Sequence, residues 1–358
     1  MKYIDEFRNK RLIKDLAKEI NRNSSGKSCT IMEVCGTHTM SIFRFGLRTL
    51  ITDKINLVSG PGCPVCVTPN IFLDKAIAIA SLKNVIVATF GDMFRVPGSR
   101  SSLEKERGKG RDIRTVYSTL EALKLAGRRP DKEIVFLGVG FETTAPTVAQ
   151  SILMAKREGI CNYSVLCAHK TMPEALKVLA EGEGLKVDGF LLPGHVSTII
   201  GTRPYEFLAR DYSKRCAVSG FEPVDILESI LMIIRQDRPR VEVEYDRIVS
   251  KSGNRRAQSV ISKVFSKTDS EWRGIGKIRN SGLKIARNYS EFDADLKFRP
   301  KVCPGAEKTA CICGKVLKGL KKPSECSLFA VSCTPENPVG ACMVSSEGTC
   351  AAYYRYAR

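Results

Sequence analysis

The sequence predicts an α/β protein built on parallel sheets, and three observations predict it. First, six short apolar runs rich in β-branched residues each lead into a loop of small residues and then a helical pattern: CTIMEVCGTH, KINLVSGPGCPVC, NVIVATFGDMFRVPG, EIVFLGVGFETTAPT, YSVLCAHKTMPEA and VDGFLLPGHVSTIIG. Near-continuous apolar strands alternating with helices are what a sheet covered on both faces requires. Second, the break GRRP at Gly127–Pro130 divides these units into two groups. Third, the rhythm stops near Glu242, and the remainder holds Trp272, many turns and half of the 14 cysteines. The expected architecture is therefore two Rossmann-like parallel-sheet domains, 28–128 and 129–241, followed by a third, cysteine-rich domain at 242–358. Residues 1–27 precede them and are expected to pack on the third domain.

Taken in order, Asp5 to Arg22 reads as an amphipathic helix, because Leu12, Ile13, Leu16, Ala17 and Ile20 fall on one stripe. The polar NRNSSGK that follows breaks it. Every unusual motif in the α/β part lies directly after a predicted strand. In an open parallel sheet, the carboxyl ends of the strands are where sites form. If the two domains face each other, these loops line one cleft. The glycine-rich GVGFETTAP loop is not a nucleotide signature: it lacks the Lys-Ser/Thr of a P-loop and the full G-x-G-x-x-G spacing.

The 358 residues carry a net charge of +19. The excess concentrates in Gly98–Pro130, with nine basic and four acidic residues, and in Lys297–Lys322, with eight basic and one acidic. Neither stretch carries an RNP motif, a Cys/His zinc finger or an aromatic stacking run, so nucleic-acid binding is not expected. The N-terminus lacks an apolar signal core, and the longest aliphatic run, Ile230–Ile234, is too short to span a bilayer. A soluble cytoplasmic protein is expected.

In a reducing compartment, 14 cysteines point to metal or redox chemistry rather than stable disulfides. With only three histidines, a His-rich zinc site is not available. In the C-terminal region, prolines and glycines separate the cysteines irregularly. Four loop-borne thiolates on such spacing suit an iron–sulfur cluster better than the paired Cys-x-x-Cys knuckles usual for zinc, while inert cysteines remain an alternative. The basic stretch 297–322 offsets the negative charge of a thiolate-bound cluster. If the segment around Cys311 and Cys313 is extended, the two thiols face opposite sides and only one is a ligand.

Near the N-terminus, EVCGTHT places Cys35 and His38 three residues apart after a strand, where they can share an ion or where the imidazole can lower the thiol pKa. A buried cysteine with a core histidine is the alternative. The Cys63-Pro64-x-Cys66 sequence has the form of a thiol–disulfide exchange pair, although Gly62 stands where thioredoxins carry an aromatic residue; half a metal site is the other reading.

EVCGTHT, GPGCPVCVTP, GFETTAPT, PGHVSTIIG, DSEWRGIG and the tail ECSLF…CTPE…PVGACMVSSEGTCAAYY, in this order from about Ile31 to Tyr354, resemble the HypD family of [NiFe]-hydrogenase maturation proteins. The resemblance implies two α/β domains around a cleft and a third domain with a [4Fe-4S] cluster. It implies a scaffold that works with the small chaperone HypC, receives cyanide from HypE, assembles an Fe(CN)2CO group and passes it to the hydrogenase large subunit. A monomer is expected before the complex forms. Carried over position by position, Cys35 with His38 matches the iron-holding motif. Cys63 and Cys66 match the redox pair. Cys313, Cys326, Cys333 and Cys350 match the cluster ligands, with Cys303, Cys311 and Cys342 as possible replacements. Glu142, Thr143, Thr144 and His195 match cleft motifs. Thr37 and Met40 depart from the family's Cys-Gly-Gly-His-Thr-His, so no histidine acts at position 40. A free-standing iron–sulfur thiol–disulfide oxidoreductase is the competing class.

Overall fold

The computed structural model describes residues 5–24, 28–182, 187–302 and 310–357. Its strands are β1 (Cys29–Glu33), β2 (Ile55–Ser59), β3 (Val85–Thr89), β4 (Ile113–Thr115), β5 (Glu133–Gly138), β6 (Tyr163–Cys167), β7 (Gly189–Pro193), β8 (Arg215–Ser219), β9 (Val241–Val243), β10 (Phe265–Trp272) and β11 (Gly276–Ile285). The first nine form two all-parallel sheets, one in the order β2-β1-β7-β8-β9 and the other β4-β3-β5-β6. All six strands expected from the apolar runs are present as β1, β2, β3, β5, β6 and β7. Strands β4, β8 and β9 carry arginine or glutamate and are three to five residues long, so they lack that signal.

The division of the chain at residue 128 does not survive. The first sheet takes β1 and β2 from before that point and β7, β8 and β9 from after it, while β3 to β6 form the second sheet. β7 inserts beside β1, with Ile31 opposite Gly189 and Glu33 opposite Leu191. β1 and β7 are buried on both faces, as interior strands of a parallel sheet are, and their backbone groups pair on both edges.

A continuous core unites the sheets. Met32, Val85, Val87, Val135, Leu137, Phe190 and Leu192 share one apolar cluster with Trp272. The opposite face of the second sheet, with Ile86, Ala88, Ile134 and Phe136, packs on Val264, Phe265, Leu283 and Ile285. Residues beyond 242 therefore do not build a separate core: the β10–β11 hairpin and the helix Arg255–Val264 complete the second sheet's packing, and β9 closes the first sheet.

The N-terminal expectation is also corrected. The stripe exists: in helix Lys10–Asn23, capped by Asn9, Leu16, Ala17 and Ile20 are buried, while Leu12 is exposed. However, it packs on the helix Pro223–Arg235 of the first sheet and not on the cysteine-rich region. Leu16 and Ile20 enter a cluster with Leu227 and Ile230, and Arg235 pairs with Glu19. An amphipathic helix goes to the largest uncovered apolar face, and the outer face of the first sheet provides it. No helix among the described residues is long and apolar enough to cross a membrane.

Candidate functional site at the strand ends

Cys35 and Cys63 lie in the loops that follow the adjacent parallel strands β1 and β2. The backbone brings these loops into direct contact: the Gly36 N–H donates to the Gly62 carbonyl at 3.0 Å. A Cβ on Gly62 would stand 2.3 Å from the backbone nitrogen of Cys35. That approach explains why glycine replaces an aromatic residue before the Cys-Pro-x-Cys: no side chain fits there. Cys63 then caps the short helix Pro64–Val67, and its sulfur accepts the Cys66 N–H at 3.2 Å. Both thiols are buried, and Cys66 is pushed well above its ordinary value by burial and by its neighbours Cys342 and Cys63.

Cys35 precedes the helix Gly36–Arg44 and is 9% exposed. Burial, with the nearby Glu347 carboxylate, pushes its thiol up to about 11; the backbone N–H groups of His38 and Thr37 oppose this by hydrogen-bonding the sulfur. A buried thiolate with those two donors needs a positive partner. Glu347 was not found by sequence reasoning, although it lies in the quoted tail. It accepts from the Thr37 hydroxyl, and its Cβ would be 2.6 Å from a Cβ at Gly36. The C-terminal segment is thus folded directly over Cys35.

His38 does not turn its bonded nitrogen toward that thiol. Its Nε2 donates to the carbonyl of Gly220 at 2.9 Å, at the end of β8, which leaves Nδ1 as a buried acceptor without a partner. Burial lowers its pKa to about 4, so it is neutral. The ring stacks on Phe221 at 4.9 Å, and Phe221 stacks on His195 at 3.9 Å. His195 is exposed and joins the site only through this aromatic stack.

The downstream cysteines reach the same place. Cys342 lies near Cys350, Cys66 and Arg273, and these neighbours favour its thiolate. Cys342 is 1% exposed. Arg273 sits at the tip of the β10–β11 hairpin, where its backbone N–H donates to Val67 at 2.9 Å and its Nε to Thr68 at 2.8 Å. The neighbouring Gly274, at φ +71°, lies against Gly314, with its own Cβ position 2.5 Å from the Gly314 Cα. The hairpin is held near its tip by Lys170, whose Nζ donates to Ser270 at 2.8 Å and to the Glu271 carbonyl at 2.6 Å. Burial lowers that lysine to about 8.

The geometry corrects one reading of the C-terminal cysteines. Cys313 begins the short helix Cys313–Leu317, so the segment is not extended there, and its thiol is hydrogen-bonded to that of Cys311. Cys350 lies within electrostatic reach of Cys342, Cys311 and Cys333. Cys333 accepts the Val339 N–H at 3.4 Å. Cys326 and Cys333 belong to one closed loop that packs on the helix Thr349–Tyr356 through Phe329 and Tyr354. No group of three or more His, Cys, Asp or Glu side chains among the described residues forms a ready-made metal cradle. The donor chemistry nonetheless suits an iron–sulfur cluster, because it is a set of neighbouring thiols, one already accepting a backbone N–H. Cys303 lies outside the described residues.

Glu142 stands at the end of the second sheet and is buried. Its Oε1 accepts the Met172 N–H at 2.9 Å. Its connection to the thiol site runs through Tyr205, a fully buried residue that senses both Glu142 and Cys35. Thr143 and Thr144 are half-buried; Thr144 only bonds back weakly to the Phe141 carbonyl at 3.4 Å.

The fold is an α/β protein on parallel sheets in which the ends of β1 and β2 place Cys35, Cys63 and Cys66, and the C-terminal helices carry Cys342 and Cys350. Comparisons with known proteins make this specific. The family model described as HypD: Hydrogenase formation hypA family matches residues 11–357. The chain is 48% identical to the hydrogenase maturation factor HypD of Rhodobacter capsulatus, covering 99% of this chain and 98% of that protein. It is 45% identical to HypD of Cupriavidus necator (100% and 98%) and 43% identical to HypD of Escherichia coli K12 (99% and 98%). The chain belongs to the HypD family of hydrogenase maturation factors.

Proposed function

We propose that this protein is the iron–sulfur scaffold on which the Fe(CN)2CO group of [NiFe] hydrogenases is assembled, working with a HypC-like chaperone and receiving cyanide from a HypE-like donor. The finished group then passes to the hydrogenase large subunit. The observation that supports this reading is that Gly62 brings the Cys63 loop against the Cys35 backbone while Cys63, Cys66 and Cys342 share one buried cluster with Cys350 packed on it.

Cys35 is the residue to hold the cargo iron. Iron bearing cyanide and carbonyl is electron-rich, and a thiolate is a fitting soft ligand. The N–H groups of Thr37 and His38 stabilise that thiolate, and the unpartnered His38 Nδ1 is available as acceptor or donor-ligand at the same loop. Cys63 and Cys66 are assigned as the dithiol that supplies reducing equivalents for assembly. A [4Fe-4S] cluster, when bound, supplies single electrons; its ligands are Cys313, Cys326, Cys333 and Cys350, with Cys311 the better-placed alternative to Cys313 because it neighbours Cys350. The burial of Cys63 and Cys66, 4% and 0% exposed, argues against a free-standing oxidoreductase, which must present its thiols to a substrate disulfide.

The test is anaerobic co-purification with a HypC-like partner followed by infrared spectroscopy. Cyanide and carbonyl stretches are expected on the complex. A complex that forms under assembly conditions without them removes the scaffold reading.

A further inference from the structure

Glu142 borders a cavity of about 280 Å3 that the maturation site does not use. Its walls are mainly apolar, formed by Ile200, Pro204, Ile261, Phe265 and Leu283. The two polar groups deepest in its lining are Glu142 and Thr171, 4% and 7% exposed. With Oε1 of Glu142 committed to the Met172 N–H, Oε2 has no partner, and neither does the Thr171 hydroxyl. Buried polar atoms are nearly always paired, so two orphans on one apolar cavity point to an absent partner. The charges at the mouth are already engaged with each other, Lys267 to Glu174 at 3.7 Å.

We propose that this cavity is a binding site for a neutral carboxamide carried on an apolar body, with Glu142 Oε2 and Thr171 Oγ1 as its hydrogen-bond partners. A carboxamide presents an acceptor and a donor side by side, which is what a carboxyl and a hydroxyl can satisfy together. Burial pushes the Glu142 carboxyl up to about 7, so near neutral pH it donates as readily as it accepts. The one lysine of the lining, Lys267, is shared with Glu174, so an anionic ligand would face two acids for one cation, and a cationic one would be desolvated among apolar walls. The inference does not depend on the scaffold reading.

The test uses the full chain and four probes of one shape: benzamide, benzoate, benzamidine and toluene, followed by calorimetry and saturation-transfer NMR. Benzamide is expected to bind at least about tenfold more tightly than each of the others, a difference of about 1.4 kcal/mol. Glu142→Gln, which keeps a donor and an acceptor, retains benzamide binding. Thr171→Val weakens it by about tenfold, and Ile261→Trp, which fills the cavity from its half-buried wall without touching the polar groups, abolishes it. Circular dichroism and thermal unfolding verify that each variant is folded. Equal or tighter binding of benzoate, benzamidine or toluene overturns the proposal. So does the absence of benzamide binding, its loss in folded Glu142→Gln, or its persistence in folded Ile261→Trp.

Discussion

The cysteines after β1 and β2 and those of the C-terminal segment meet at one place but are held there by different means. Cys35 and Cys63 are fixed by backbone: adjacent parallel strands end side by side, and Gly36 and Gly62 let the two loops touch. Cys311 to Cys350 sit on short helices and turns whose order comes from side chains and from what they lean against, such as the hairpin tip at Gly274 and the helix Thr349–Tyr356. The lesson is a division of labour. Strand ends set where a site is, and irregular segments decide which groups are brought to it.

Substitutions can break this contrast, and the largest effect is expected at Cys35. Cys35→Ala should eliminate the cyanide and carbonyl bands of the purified complex, whereas Cys342→Ser should leave them present but slow their appearance by roughly tenfold, equivalent to about 1.4 kcal/mol in the barrier. Equal loss in both variants would mean that the two cysteine sets are not functionally distinct.

Next comes Gly62→Ala, which forces a methyl into the Cys35 backbone where no flexible atom can yield. A cost of about 2–3 kcal/mol in urea unfolding is expected, with assembly lost even where the fold survives. The matching change in the irregular region, Gly340→Ala, meets only the Cys311 sulfur at 3.3 Å and should cost under about 1 kcal/mol.

The hairpin that joins the two regions gives a pH signature. Lys170 is depressed to about 8 by burial, against about 10.4 when unfolded, so between these values the unfolded chain binds more protons. Stability contributed by this site is therefore fully present above about pH 10.4 and is lost as pH falls through 8. Lys170→Met removes the dependence: the wild-type-minus-variant difference in unfolding free energy should rise by about 3 kcal/mol from pH 7 to 10.5. A flat difference would show that Lys170 does not hold the hairpin tip as a buried amine.

The smallest effect is expected on the basic surface between 98 and 130. Three of its nine basic residues pair with nearby acids, Lys109–Glu106, Arg114–Asp112 and Arg129–Asp131, and the rest lie along an exposed face. Lys105→Ala with Arg107→Ala should change neither assembly nor, by more than about 0.5 kcal/mol, stability.

The α/β class and the six principal strands were legible because β-branched runs followed by small-residue loops have one physical reading. Cys35, Cys63 and Cys66 were legible for the same reason. The sheet partition was not, because no local pattern says which edge of β1 will receive a strand from beyond residue 187. Glu347, Arg273 and Tyr205 carried no spacing signal: each acts by tertiary contact, Arg273 at a hairpin tip and Tyr205 between two sheets. The relation of Cys311 to Cys313 was misread because extended geometry was assumed where a helix starts.

The interruption of the first sheet has a consequence for how the protein is made. β1 and β2 leave the ribosome long before β7, β8 and β9, and the whole second sheet is synthesised between them. Parallel pairing across such a sequence separation is slow, because a long loop must close before any contact rewards it. The second sheet's four strands are contiguous in sequence and can form first, so the first sheet is completed only late in synthesis. Until then Cys35 lacks the β8 carbonyl that orients His38 and the tail that brings Glu347. The surroundings of Cys35 are therefore among the last parts of the molecule to be completed.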